Sequence, residues 1–476
     1  MAELWKDIPV DVGVVYEGER IKWGDTQVEL GGPKMDVKFE LALVKPLDHV
    51  EDGKVTIIGP DIKDVPEKTS LPFGIIIEAA GQKLDRDIEG VIERRIHMYS
   101  NFVEGLMHLN QRYDIHLRLS SKSFKKGFNS FHVLAKVLQR LYKTELPIIE
   151  KIQFTFITDH DKVKEALGEA LKVYEVRDAR ARGLKDEDVK EFYGCALCQS
   201  FAPTHVCVIT PQRYANCGAM SWFDCRASAQ VDPKGPVFSI EKGACVDPDY
   251  GEYEGVNELA KSRSLGSVSR VQLYSCLSKF EHTSCGCFEA CAFYIPEVDG
   301  IGLVDRDFKG PAVNGLPFSS IADSTAGGRQ VEGFHGVSVE YMRSQSFLKA
   351  DGGWGRVVWM PSTLKERVRG FVPKEVVDKV ATEKEVKTVE ELHSFLEKSG
   401  HPVVERWKAK PEMAPPREET REAIREEAKP VVQPEAVLPS AEINLPSLPL
   451  AFGGFEFVLE NVKISAKKLT IKRTKT

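Results

Sequence analysis

Apolar positions in the first 190 residues fall into two periods. "VKFELALV" (37–44), "FGIIIEAAG" (73–81), "DIHLRLS" (114–120) and "KIQFTFIT" (151–158) are short and rich in β-branched and aromatic residues, which predicts strands. "VGVVYEGERIKW" (12–23) reads the same way, with "LGGP" (30–33) as a turn before the next strand. Between them, "DIEGVIERRIHMYSNFVEGL" (87–106), "SFHVLAKVLQRLY" (130–142) and "KVKEALGEALKVYEVRDARARG" (162–183) repeat at helical spacing. Strand–helix units in succession predict an open, largely parallel sheet with helical cover. No GxGxxG follows a strand and no GxxxxGK[ST] occurs, so neither nucleotide-loop signature is present.

The pattern changes near residue 190. Long helical periods give way to glycine, cysteine and short strand candidates, "GIGLVDRDF" (300–308), "GVSVEYM" (336–342) and "GRVVWMP" (355–361). Helical "STLKERVRGFV", "EVVDKVAT" and "TVEELHSFLEKSG" follow, up to residue 400. From 409 the composition turns to Pro, Glu, Ala and Arg, a linker by composition. The expected fold is thus α/β and α+β: an open α/β domain (1–189), an α+β metal-cluster domain (190–408), a Pro/Glu-rich linker (409–445) and a short tail (446–476). The tail alternates like a strand and ends strongly basic, which suits docking to an acidic partner.

Composition narrows the function classes. A formal charge of −6 and a pI near 6.1 argue against nucleic-acid binding by the chain as a whole. No run approaches the length of a membrane span, and the N-terminus lacks a basic stretch followed by an apolar one, so a cytoplasmic protein is expected. In that reducing setting clustered thiols serve metals or chemistry more often than disulfides. There are ten cysteines, and six of them form two groups.

The first group, "CALCQSFAPTHVCVITPQRYANC", spaces Cys195, Cys198, Cys207 and Cys217 as C-x2-C-x8-C-x9-C. Zinc ribbons pair two close couples across a gap, and here only one couple is close, so the spacing favours an iron–sulfur cluster with structural zinc as the alternative. His205 inside the loop is expected to pack or hydrogen-bond, since four thiolates already complete a site. The second group is "SCGC". Cys285 and Cys287 flank Gly286, too close to share a tetrahedral ion but able to wrap a square-planar one with the Gly286 and Cys287 amides. Square-planar N,S coordination points to nickel or copper. Glycine in the middle leaves room for a backbone-bound metal. Cys225, Cys245, Cys276 and Cys291 are read as small buried hydrophobes.

"CALCQSFAPTHVCVITPQRYANCGAMSWFDCRAS" and "TSCGCFEA" together resemble acetyl-CoA synthase, a family of nickel–iron enzymes, as do "ADGGWGRVVWMPSTLKE" and "EVRDARARGLKDEDVKEFYG". The resemblance spans roughly residues 60–405. It implies a [4Fe–4S] cubane on Cys195, Cys198, Cys207 and Cys217. It also implies a proximal nickel bridged by Cys198, Cys285 and Cys287, and a distal nickel on Cys285, Cys287 and the Gly286 and Cys287 amides. Phe201 matches a phenylalanine over the open face of the proximal nickel. Arg118 matches an arginine near the route of coenzyme A; the bacterial pattern has a tryptophan two residues earlier, where this chain has His116. The implied reaction joins carbon monoxide, a methyl group from a methylated corrinoid iron–sulfur protein and coenzyme A into acetyl-CoA, reversibly, in a complex with carbon monoxide dehydrogenase. The large first domain of the bacterial enzyme is missing from the match. An iron–sulfur electron-transfer subunit and a zinc-stabilised scaffold are the competing readings.

Overall fold

The computed structural model describes residues 5–13, 21–197, 206–280, 288–325, 332–409, 443–452 and 455–464. The chain divides into a body, Met1–Lys410, and a C-terminal unit, Pro411–Thr476. No helix among the described residues is long and apolar enough to cross a membrane.

The body begins with eight strands: β1 (Thr26–Gly31), β2 (Lys38–Val44), β3 (Val55–Ile58), β4 (Thr69–Leu71), β5 (Phe73–Ala80), β6 (Leu106–Leu109), β7 (His116–Ser120) and β8 (Lys151–Ile157). Four helices accompany them: α1 (Glu89–Ser100), α2 (Ser121–Lys125), α3 (Phe131–Glu145) and α4 (His160–Ala179). The class is mixed α/β, as expected, but two mixed sheets stand in place of one open, largely parallel sheet, with β2–β5, β3–β8 and β1–β4 as the parallel pairs. There are two four-stranded sheets, ordered β2-β5-β8-β3 and β4-β1-β7-β6. β5 runs parallel to β2 and antiparallel to β8, and β7 is antiparallel to both its neighbours. The physical reason is connectivity. Between β5 and β8 the chain passes through α1, the second sheet and α3, so no direct crossover forces those two strands to run parallel. Of the first strand expectation (12–23), residues 14–20 lie outside the described part, and Trp23–Asp25 is a 3-10 turn.

A first core is centred on stacked Phe73, Phe131 and Phe156, with the ring of Phe131 4.7 Å from that of Phe156. It extends along the chain from Ile8 to Val237 and takes in Cys195 and Cys207. All twelve residues of α1 are buried, including Glu89, Glu93, Arg94, Arg95 and His97. Three of these side chains, Glu89, Glu93 and Arg95, meet opposite charges on neighbouring elements: Arg177 meets Glu89 at 3.0 Å and Glu93 at 2.9 Å, Arg112 meets Glu93 at 3.2 Å, and Arg95 meets Asp232 at 3.1 Å. Burial pushes the Glu93 carboxyl up to about 6 against the pull of Arg177 and Arg112.

The second half starts with β9 (Glu191–Cys195), β10 (Cys207–Ile209), α5 (Trp222–Val231) and β11 (Val237–Glu241), and the three strands form one sheet with β9 in the middle. A short hairpin, β12 (Cys245–Asp247) with β13 (Glu252–Tyr253), leads to α6 (Glu254–Arg263). β14 (Ala290–Ile295), β15 (Gly300–Asp305), β16 (Phe334–Val337) and β17 (Val357–Trp359) then make a four-stranded sheet in the order β16-β14-β15-β17. "GVSVEYM", expected as one strand, is a strand only to Val337. The Ser338 hydroxyl accepts from the Tyr341 N–H and starts a helical turn, Val339–Met342. Cys245 is exposed on its hairpin, unlike the buried residue expected.

The last described helix, Val403–Ala409, is tied to the body: Arg406 meets Asp299 at 3.0 Å and the Trp407 indole donates to the Val298 carbonyl. In the C-terminal unit β18 (Ile443–Phe452) pairs antiparallel with β19 (Phe455–Ile464).

Candidate metal centre

The antiparallel pairing of β9 and β10 sets Cys207 opposite Cys195, so both side chains leave the same face of the sheet. The chain then makes two tight turns. In the first, the Thr210 N–H donates to the Arg213 carbonyl and the Thr210 hydroxyl accepts from the Arg213 N–H. In the second, the Gly218 N–H donates to the Ala215 carbonyl. Cys217, half-buried, sits in that second turn. Gly218 has φ +75, and a Cβ there would overlap the Glu289 carboxylate, so glycine is required on both counts. The loop is anchored to the first half of the body by Tyr214, whose hydroxyl donates to Asp178 at 2.5 Å, and Asp178 in turn holds Arg112 at 2.8 Å.

The thiols sense one another. Burial pushes Cys195 up to about 11, against the Arg94 guanidinium and the Leu197 N–H. It pushes Cys207 up to about 12, against Arg213 and the Asn216 N–H. Cys217 acts electrostatically on both, and Cys195 on Cys207. Cys225, buried on α5, lies within range of all three, which its sequence position gave no reason to expect. Such thiols are protonated at neutral pH without metal, so binding has to release protons.

Three cysteines on adjoining segments, backbone N–H groups directed at two of the sulfurs and a wall of apolar core fit iron–sulfur ligation. Among the described residues no three His, Cys, Asp or Glu side chains converge tightly enough to hold a single ion. A cubane does not ask for that, because its thiolates bind separate irons at separate corners. Cys198, Phe201, His205, Cys285, Gly286 and Cys287 lie outside the described residues.

The described residue that ties the second motif to the first is Glu289. Its N–H donates to the Asn216 carbonyl at 2.8 Å, which links the position two after Cys287 to the position one before Cys217. Its carboxylate accepts from the Val339 N–H at 2.8 Å, from Arg367 at 2.5 Å and from the Tyr113 hydroxyl. Burial works to raise the Glu289 carboxyl, but Arg367, Tyr113 and the Val339 N–H outweigh it and hold the group below its ordinary range. A cavity of about 390 Å³ opens beside Tyr113, Tyr174, Glu289 and Arg367, and a smaller one sharing Tyr113, Gly218 and Glu289 with it reaches Cys217.

Arg118 is committed elsewhere. Its Nε donates to Glu29 at 2.6 Å and its Nη1 to the Ile21 carbonyl at 3.0 Å, while His116 meets the same carboxylate at 3.0 Å. Burial opposes ionisation of Glu29, yet the hydrogen bonds from His116 and Arg118 win and hold it at about 2. An exposed indole, Trp23, lies 5.7 Å from the Arg118 guanidinium, with the Lys34 ammonium 3.1 Å from its ring centre.

Two family models match the chain. One, described as "CO dehydrogenase/acetyl-CoA synthase complex beta subunit", covers residues 8–163, and the other, for the C-terminal part of the ACS/CODH beta subunit, covers residues 174–408. A relative from Methanopyrus kandleri, named acetyl-CoA decarbonylase/synthase complex subunit beta, is 52% identical over 98% of this chain and 97% of its own length. One of the same name from Methanothermobacter thermautotrophicus is 51% identical over 99% of this chain and 100% of its own. A solved structure of the C-terminal domain of an acetyl-Coenzyme A synthase alpha subunit is 39% identical, with a TM-score of 0.23, over 25% of this chain and 95% of its own.

Proposed function

The chain belongs to the family of acetyl-CoA decarbonylase/synthase complex beta subunits, and from that membership we propose that it makes and cleaves acetyl-CoA at a nickel–iron–sulfur centre. Cys195, Cys198, Cys207 and Cys217 would hold a [4Fe–4S] cluster. Cys285 and Cys287, with the amides of Gly286 and Cys287, would hold one nickel and, with Cys198, a second. When bound, that centre would supply the open metal position at which a methyl group and carbon monoxide are joined before transfer to coenzyme A, or separated in the reverse direction.

The chain's own residues do the rest. The observation that supports the reading is the Glu289–Asn216 hydrogen bond, which sets Glu289, two residues after Cys287 in the chain, against the Cys217 turn. Glu289, clamped by Tyr113, Arg367 and the Val339 N–H, fixes that approach. The core around Cys195 and Cys207 excludes water. Phe201 would cover the open metal face. The cavity beside Tyr113 and Gly218 gives a small substrate a path towards Cys217. We assign coenzyme A to the Arg118 side, where the exposed indole of Trp23 and the Lys34 ammonium lie beside the guanidinium. The remaining partners are a methylated corrinoid iron–sulfur protein and carbon monoxide dehydrogenase subunits, in the cytoplasm. The test is metal quantitation on the anaerobically prepared chain, coupled to exchange of carbon monoxide with acetyl-CoA. Iron and nickel together with exchange are expected. Iron alone would make the chain an electron-transfer subunit, and zinc alone a scaffold; either overturns the reading.

The division at residues 189 and 408, the linker (409–445) and the docking tail (446–476) belong to the same proposal. Because Arg406 and Trp407 are tied to Asp299 and Val298, the tail is best removed after Ala409. That truncation is expected to leave metal content and exchange intact and to weaken binding to the partner subunits. Unchanged assembly, measured by co-purification at rising salt, would remove the docking role.

A further inference from the structure

Three buried arginines in the body sit against carboxylates: Arg112 has Asp178 at 2.8 Å, Arg177 has Glu93 at 2.9 Å and Arg95 has Asp232 at 3.1 Å. Arg213 has a different set of partners. It is 0% exposed, and among the described residues its guanidinium donates to neutral acceptors: Nε to the Leu273 carbonyl at 3.1 Å, Nη1 to the Asn216 side-chain oxygen at 3.0 Å and Nη2 to His335 Nε2 at 2.6 Å. His335 therefore accepts through Nε2 and carries its proton on Nδ1; burial and Arg213 together hold it well below the ordinary histidine range, so it is neutral. The ring of Tyr341 lies 5.2 Å from the guanidinium carbon.

Hydrogen bonds to neutral acceptors satisfy the donors but leave a full positive charge in the interior. Such a charge is strongly disfavoured unless an anion stands nearby. A carboxylate in electrostatic range of Arg213 is that of Asp186. Asp186 is also occupied by the Tyr274 hydroxyl and the Gln212 N–H, and burial pushes its carboxyl up to about 6. The group facing Arg213 that turns anionic on metal binding is the cysteine set. Cys207 is six residues before it, Cys217 four after, and the Asn216 that Arg213 grips lies next to Cys217 and sends its N–H to the Cys207 sulfur.

We propose that Arg213 is a positioning residue of the sulfur site: it supplies the buried positive charge that balances the thiolate-bound iron–sulfur cluster and, through Asn216, fixes the turn that carries Cys217. The inference rests on the iron–sulfur reading above. Three segments meet on this one guanidinium, the Cys207–Cys217 loop, Leu273 and β16 at His335, so the charge is held in place rather than free to swing away. A fixed cation beside a cluster favours its more negative, reduced form and raises the reduction potential.

The test compares the full chain, loaded with iron and sulfide under anaerobic conditions, with Arg213→Lys and Arg213→Gln. The readouts are iron content, far-UV circular dichroism and the midpoint potential from a redox titration followed by electron paramagnetic resonance. Arg213→Lys is expected to keep parental iron and a midpoint close to the parent's. Arg213→Gln is expected to shift the midpoint to more negative values or, if it no longer retains the cluster, to lose iron that Arg213→Lys keeps. Full iron with an unshifted midpoint in Arg213→Gln overturns the proposal, and so does loss of iron in Arg213→Lys as complete as in Arg213→Gln, which would make the fork's shape and not its charge the requirement. If the parent chain itself shows no iron–sulfur signal, the site reading falls and the proposal with it. With that signal present, a failure belongs to Arg213 alone.

Discussion

Replacing Cys285 or Cys287 by serine is expected to take acetyl transfer to background and to strip the chain of nickel, while iron stays at the parental level. The expectation comes from donor chemistry. A thiolate is soft and ionises within reach of neutral pH, whereas a serine hydroxyl does neither, so the square-planar N,S set cannot form. Each of the two thiols would serve both nickel positions, so neither substitution spares one of them. The iron site is built from other elements, β9, β10 and the turn to Gly218, whose hydrogen bonds involve no described residue of the Cys-Gly-Cys segment until Glu289. Nickel and iron analysis on the same anaerobic preparation, with carbon monoxide exchange, decides the matter. Parental exchange in either variant would end the assignment.

The opposite pattern is expected for Cys195→Ser: iron is lost, and acetyl exchange goes with it. Cys195 is buried in the first core, opposite Cys207 across the β9–β10 pair, with the Leu197 N–H directed at its sulfur. A hydroxyl there is a poor iron ligand and a buried polar group, at a cost of about 1–3 kcal/mol where its hydrogen bond is imperfect. That cost is small against a body with several cores, so the variant should fold, and circular dichroism checks that it does. Iron at the parental level, or persistence of the visible absorption of an iron–sulfur chromophore, would take Cys195 out of the ligand set.

The two variants also separate what was legible in the sequence from what was not. Cysteine spacing is local information, and the turn residues between Cys207 and Gly218 are local too, so the ligand loop could be read directly. The strands and helices of the first half were legible from period, among them Lys38–Val44, Phe73–Ala80 and Phe131–Glu145. Their arrangement was not, because period says which residues form a strand and nothing about which neighbour it pairs with. The short strands Val55–Ile58 and Leu106–Leu109 carry too few residues to show a period at all. Asn216, Glu289 and Arg213 escaped for a different reason. Each works through a bond to a distant segment, Arg213 reaching 60 residues to Leu273 and 122 to His335. A polar residue in a loop looks the same whether it meets water or a buried partner. Arg118 is a further case: its place on a strand was legible, but not that it shares Glu29 with His116.

Helix α1 has a bearing on temperature. An oily helix is held by apolar burial, whose worth per unit area levels off as water warms. α1 instead carries the charges of Glu89, Glu93 and Arg95 into the interior, against Arg177, Arg112 and Asp232. The hydration that such charges give up becomes less favourable with heating, so the penalty for keeping them dry shrinks while their mutual attraction stays. As temperature rises, the charged seam along α1 therefore becomes a growing share of what holds the first half of the body together.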